Sequence, residues 1–345
     1  KYSDFVWDYK CFSGIDNIKR HGKTQTGIFK IHNDSGTEWK EAVSHQLGNY
    51  DYLMGADVEY RNPEVVQEMK NWIAWFLNTT KADGMRLDAL KHINSDFLKT
   101  FVRHVKTHVN RDCYVVGEYW VDDAKKMAAF TDETDSLISC FDVPLHYRFF
   151  QASEEGQDFD LRTLSAGSFL EERPALAVTF VENHDTQKLQ ALESAVQHWF
   201  KPLAYAFILL SENGYPCVFY PDLYGAKYSD TVEGKDIHVV MPKVEMLPKL
   251  LEARTRFGHG RQVSYFDDFR CIALVREGTA DHPGCIMIMS NAGASQKKIP
   301  LGKAFANAVF TDYLSNRKEV IQADANGNLT AAVNERSVSV WVLRG

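Results

Sequence analysis

The chain has 345 residues, 45% of them hydrophobic and 12% aromatic, and a formal charge of -7. That length supports a large core and more than one domain. The mild acidity, with no basic stripe, argues against nucleic acid as a partner, and no apolar run reaches the length of a membrane span.

Residues 1–57 are polar, rich in Gly, Asp and aromatics, and carry no helical period. They are expected to form an irregular, loop-rich segment. The segment closes on NYDYLMGAD, whose two acids, Asp51 and Asp57, are hard oxygen donors of the kind calcium takes. Turns and caps use loop aspartates as well. Asn62-Pro63 opens a helix, with Asn as N-cap and Pro at the first helical position. Val65, Met69, Trp72, Ile73 and Phe76 recur on one face of it.

A short strand follows in GMRLD, residues 84–88, with Arg86 and Asp88 pointing the same way because alternate residues share a face. A guanidinium beside a carboxylate favours its ionised form. Ser95 opens an amphipathic helix, and residues 114–120, YVVGEYW, form an apolar strand ending in a second carboxylate, Glu118. Beyond it come a helix near 123–130, a strand at 137–143, a helix at 161–170 and a strand from Ala177 that ends in Glu182-Asn183-His184-Asp185. A long helical stretch over 190–210, a strand at 217–220 and a helix over 241–257 complete the pattern.

Strand–helix alternation with continuous apolar strands argues for a parallel α/β sheet, with five strand–helix units between Gly84 and about Phe257. From Val263 onward the strands are short, alternating and separated by turns, as in an antiparallel β-sandwich. None of the six cysteines makes a CxxC, so zinc is not expected. Cys271 and Cys285 would pair only if their strands were neighbours in suitable register, and free thiols are favoured.

Asp88, Glu118 and Asp185 each stand at the C-terminal end of a strand, where parallel barrels keep their catalytic groups. Three carboxylates on one face suit glycoside hydrolysis. Asp88 beside Arg86 fits the attacking group. Glu118, between Gly117 and Tyr119-Trp120, fits the general acid, because poor solvation raises a carboxyl pKa. His184 and Asp185 can hydrogen-bond sugar hydroxyls, and Tyr52, Tyr119 and Trp120 can offer ring faces to a pyranose.

GMRLDALKH at 84–92, VGEYW at 116–120 and FVENHD at 180–185 together resemble three signatures of the alpha-amylase family of glycoside hydrolases, most nearly the bacterial liquefying type. Further likeness lies at 48–57, 141–147 and 199–209. The resemblance implies a (β/α)8 TIM-type barrel, incomplete here, with an inserted domain after its third strand and a C-terminal β-sandwich. On that plan residues 1–57 are the remainder of the inserted domain, 58–258 the barrel and 259–345 the sandwich. It implies retaining endo-hydrolysis of α-1,4-glucans, with Asp88 as nucleophile, Glu118 as acid/base and Asp185 as transition-state stabiliser. Arg86 would support the nucleophile, and Lys91, His92 and His184 would contact sugar. Asp51, Asp57 and the carbonyl of His92 would bind one calcium.

The sequence departs from the family in lacking its first signature, a strand ending in Asn-His. The expectation is therefore a chain without the first three barrel strands, impaired alone and prone to self-association or to pairing with a missing N-terminal segment. Ser13, Lys40 and Arg61 replace expected acids, which argues against further metal sites, and Pro221 replaces a usual Gly. Two other functions remain open: an inactive glucan-binding fragment, or a transglycosylase or α-glucosidase with the same triad.

Overall fold

A computed structural model describes residues 2–36, 39, 43 and 52–344. The chain forms two compact units, Lys1–Phe141 and Asp142–Gly345.

The first unit opens on a structure that the sequence pattern does not announce. β1 (Phe12–Arg20) and β2 (Lys23–Lys30) form a hairpin, and β3 (Ala56–Val58) pairs antiparallel with the other edge of β1. The turn is His21-Gly22, both at positive φ. β2 is almost wholly exposed and β1 buries only Ser13 and Gly14, so the hairpin gives little apolar contrast to read and looked irregular in sequence. Asn62 caps α1 (Pro63–Thr80) by accepting from Glu64 N–H, as its Asn-Pro start requires. β4 (Gly84–Leu87), α2 (Ser95–His104), β5 (Tyr114–Gly117), α3 (Ala124–Glu133) and β6 (Ser139–Phe141) follow. β4 pairs parallel with β5, and β5 with β6.

In the second unit Asp142 caps α4 (Val143–Glu155), so the strand expected over 137–143 stops at Phe141. Only a short α5 (Phe169–Glu172) occupies the expected 161–170 helix. β7 (Ala177–Phe180) pairs parallel with β8 (Tyr215–Cys217). Between them the helix expected over 190–210 is confined to α6 (Lys201–Leu210). Pro202 fits that start, because a proline is tolerated in the first turn of a helix. α7 (Tyr220–Tyr224), a hairpin of β9 (Ala226–Val232) and β10 (Lys235–Met241), and α8 (Leu247–Phe257) come next. Met241 therefore ends a strand rather than opening the last helix.

The strands β11 (Gln262–Tyr265), β12 (Cys271–Arg276), β13 (Cys285–Ser290), β14 (Ser295–Pro300), β15 (Val309–Asp312), β16 (Val320–Gln322), β17 (Asn328–Val333) and β18 (Ser337–Leu343) are antiparallel. They make one sheet ordered β11-β12-β13-β18-β15-β16 and a second of β14 and β17. Ile299, Leu329, Ala331 and Val333 of the small sheet pack against Ala273, Val275, Ile288 and Trp341 of the large one. This is the expected sandwich core. β12 and β13 are neighbours, but their register sets Cys271 opposite Ser290 and Cys285 opposite Arg276. The two thiols lie at opposite ends of the ladder, and all six cysteines are free. Among the described residues no helix is long and apolar enough to cross a membrane.

Candidate active site

β4 ends at Leu87, so Asp88 is the first residue beyond it. Arg86 lies two residues back on the same face. Its Nη1 pairs with Asp88 Oδ1, and its Nη2 reaches Glu118 Oε2 at 3.2 Å. Ala89 then takes a left-handed conformation at φ 52, a strain of about 1 kcal/mol or more for a residue with a side chain. The turn lets Ala89 N–H donate to Glu118 Oε2 at 3.0 Å.

Glu118 stands in the same position after β5. Its N–H donates to Leu87 O at 2.8 Å, and its carbonyl accepts from Leu90 N–H at 2.9 Å. A Cβ at Gly117 would lie 2.2 Å from Leu90 Cδ1, so a side chain there would have to displace the buried Leu90. The two carboxylates thus share one guanidinium and differ in environment: the Asp88 side chain is 69% exposed and that of Glu118 12%. Burial pushes the Glu118 carboxyl up from its ordinary pKa. The Ala89 N–H and Arg86 pull it down, and the neighbouring Asp88 carboxylate pushes it up again.

Lys91 and His92 lie on the short 3-10 turn Leu90–His92 that follows Ala89. Lys91 Nζ donates to Trp120 O at 3.2 Å, and burial lowers its pKa against the pull of Glu118. Trp120 and Tyr52 are buried, so their rings mostly face protein. Tyr119 stacks on Phe130 with centroids 4.3 Å apart. Tyr52 donates its hydroxyl to Gly55 O at 3.3 Å, and burial pushes its pKa up to about 12.

The third acid belongs to the second unit. After β7 the chain runs through Val181 and Glu182 into a turn closed by Asn183. Asn183 Oδ1 accepts from the N–H groups of Asp185 and Thr186, both at 2.9 Å, and Asn183 N–H donates to Thr186 Oγ1 at 2.9 Å. The turn leaves His184 63% exposed and Asp185 32%, with His184 Nε2 3.2 Å from Asp185 Oδ2. The residues that brace it carried no assigned role in the sequence reading. His146 is fully buried; its Nδ1–H donates to Val181 O at 2.8 Å, and its Nε2 accepts from the Ser194 hydroxyl at 2.8 Å. Burial lowers its pKa to about 4, so the ring is neutral. On the opposite side chain of the segment, Glu182 meets Lys201. The one legible signal was polarity out of place: Lys201 heads an otherwise uncharged run, and Asp222 interrupts an aromatic one.

Of the expected calcium ligands, Asp51 lies outside the described residues. Asp57, on β3, accepts the Ser13 hydroxyl. Among the described residues no three His, Cys, Asp or Glu side chains gather as metal ligands. The named donors are nonetheless all oxygens, one carboxylate and one carbonyl among the described residues, and that chemistry fits calcium rather than a softer ion. At Arg61 a cation is already supplied: its guanidinium forks onto buried Glu59, Nε to Oε1 at 2.8 Å and Nη2 to Oε2 at 2.6 Å.

Residues 2–249 match the family model described as alpha amylase, catalytic domain. The chain is 46% identical to the cytoplasmic alpha-amylase of Escherichia coli (strain K12), over 99% of this chain and 69% of the relative. It is 41% identical to an alpha-amylase of Geobacillus stearothermophilus, over 99% of this chain and 61% of the relative. For an alpha-amylase of Bacillus licheniformis the identity is 39%, over 99% and 65%. The chain thus spans about two-thirds of the length of these relatives. Among solved structures, an alpha-amylase from Geobacillus thermoleovorans complexed with acarbose superposes with a TM-score of 0.67 at 21% identity, over 89% of this chain and 71% of that one. A cyclomaltodextrin glucanotransferase, CldA, also gives 0.67, at 20% identity over 95% and 71%. At such identities these two speak for the fold alone: the parallel strands β4 to β8 are βα repeats of a TIM-type barrel, followed by a β-sandwich. On the family model and the extent of its relatives' identity, the chain belongs to the alpha-amylase family of glycoside hydrolases.

Proposed function

We propose that this chain carries the catalytic groups of a retaining endo-hydrolase of α-1,4-glucosidic bonds in starch, glycogen and related glucans. The observation that carries the reading is the pair Asp88 and Glu118. One guanidinium contacts both, and the Glu118 side chain is 12% exposed against 69% for Asp88. Burial pushes the Glu118 carboxyl up, so it is the member suited to carry the proton that a general acid gives.

In the first step Asp88 attacks the anomeric carbon while Glu118 gives its proton to the departing glycosidic oxygen. In the second, Glu118 takes a proton from water, and that water releases the sugar from Asp88 with net retention. Arg86 offsets the charge of both acids. Asp185 and His184 hold ring hydroxyls and favour the oxocarbenium-like state, and Lys91 and His92 line the sugar path. Tyr52 and Trp120 would take part by shaping the cleft wall, given how little ring they expose.

Calcium would be held by Asp51, Asp57 and the carbonyl of His92, where it supplies structural cross-linking by hard oxygen coordination. Native-state binding would raise the melting temperature at millimolar calcium, and no rise would remove the metal.

The function is tested by incubating protein carrying this chain with soluble starch and maltooligosaccharides while following the product anomer by NMR. Release of α-anomers from internal bonds is expected. Initial β-anomers would overturn retention. Longer or cyclic products would assign transglycosylation, and binding without any product would leave a glucan-binding protein.

A further inference from the structure

Three charged side chains and a tyrosine are buried together beneath the Asn183–Asp185 turn. Lys201 is 6% exposed, Glu182 3%, and Asp222 and Tyr205 are fully buried. Lys201 Nζ lies 2.7 Å from Glu182 Oε2 and also pairs with Asp222 Oδ1, while Tyr205 donates its hydroxyl to Asp222 Oδ2 at 2.6 Å. Taking one cation and two anions out of water costs several kcal/mol per ion before pairing offsets it. Helix stability does not explain the arrangement. Lys201 occupies the first turn of α6, where the helix dipole favours an anion.

What the cluster does is join three chain segments. Glu182 sits between Val181, whose carbonyl His146 holds, and Asn183, which closes the turn bearing Asp185. Lys201 and Tyr205 belong to α6, and Asp222 to α7 after β8, where Asp222 O also accepts from Val244 N–H at 2.7 Å. The turn is bonded mostly within itself and to residues 192–194, through Leu192 N–H to Asp185 O at 3.1 Å and Ser194 N–H to Thr186 O at 2.9 Å. It is a rigid unit, and its tilt relative to the barrel strands is set where the chain leaves β7. Glu182 is the side chain at that pivot.

We propose that Lys201, Glu182 and Asp222 are positioning residues that fix the angle of the Asn183–Asp185 turn, and so the placement of the Asp185 carboxylate, by an ion cluster between the ends of β7 and β8. The catalytic half of this inference rests on the reading of Asp185 as a reaction-site carboxylate; the positional half does not. Burial pushes the Glu182 carboxyl up while Lys201 pulls it down, so neutralising all three groups removes the pin without stranding a charge.

The test is the triple variant Lys201→Met, Glu182→Gln, Asp222→Asn. Replacing a buried ionic triad by neutral groups of similar size is often neutral for stability or better, so a cooperative fold is expected. Amide hydrogen exchange at 183–186 should rise at least about tenfold, with β12 and β13 unchanged, because only the local opening is made easier. On starch, kcat should fall by roughly ten- to a hundredfold with KM changed far less, since a misplacement near 1 Å costs on that order in rate. Lys201→Arg, which keeps the charge, should restore most of both readouts. If the triple variant does not fold, Glu182→Gln alone leaves the Lys201–Asp222 pair intact and is read in the same way. A folded variant with unaltered exchange at 183–186 overturns the proposal whatever its activity. Asp185→Asn separates the two readings: turnover should be lost with exchange unchanged if Asp185 is a reaction-site group, and retained turnover would sink only that assignment.

Discussion

Beyond β4 and β5 the two acids are held by a shared partner. Arg86 bridges Asp88 and Glu118, and the backbone of Ala89 adds a donor. Beyond β7 the acid is held by the Asn183 side chain of its own turn, and the buried ion pair lies on Glu182 rather than on the acid. In the first region the surroundings set protonation, because burial and neighbouring charge differ between two groups that share one guanidinium. In the second they set position, because a neutral histidine and a buried ion cluster grip Val181 and Glu182, the two residues that lead into the turn. One strand-end motif therefore solves two problems, and substitutions should separate them.

The largest expected effect would break the first half of the comparison. Asp88→Asn should cost about three to five orders of magnitude in kcat on starch and leave the melting curve close to wild type, since a covalent route loses its nucleophile. A variant with more than about a tenth of wild-type activity would show that Asp88 is not that group.

Glu118→Gln sharpens it. Glycosides with poor leaving groups should slow by about two orders of magnitude or more, while activated aryl glycosides lose far less in the bond-breaking step, because only the former need a proton. The alkaline limb of the kcat/KM profile should vanish with it, as that limb reports the raised carboxyl losing its proton. Equal losses on both substrates would place the acid elsewhere.

The smallest effect concerns the second region. His146 is held neutral in the fold, with its pKa lowered to about 4 from the usual 6.5. The unfolded chain takes up that proton between about pH 6.5 and 4, so stability falls as pH falls through this window. Burial pushes Asp142 the other way, up to about 6, and its contribution opposes that of His146 over part of the same range. His146→Asn keeps a donor for Val181 O and removes the titration. Its unfolding free energy should therefore decline less than that of wild type between pH 7 and pH 4.5, by on the order of 2 kcal/mol. Parallel declines in urea titrations would show that His146 does not carry the linkage.

Much of this plan was legible without coordinates. Asn62-Pro63 marks a helix start by chemistry that acts within two residues, and the structure caps the helix there. GMRLD, VGEYW and FVENHD each put an acid just past an apolar run, and a strand ending at that run places the acid at its C-terminal end by geometry alone. The failures have a common cause. The hairpin at Phe12–Lys30 is mostly exposed and offers no period. The pattern over 190–210 satisfies helical spacing, yet residues before Lys201 are used to brace the Asp185 turn instead.

By itself, then, the sequence determined the family, the βα order, the sandwich and the identity of the three strand-end acids, since these follow from local periodicity and from motifs read along one chain. Only the tertiary structure decided that Glu118 is far less exposed than Asp88, that Arg86 serves both, that Trp120 and Tyr52 turn inward, and that Lys201 finds Glu182 and Asp222. Those outcomes depend on burial and on charge pairs between residues about 20–30 positions apart, and the dielectric and distance that govern them exist only once the strands and helices have packed.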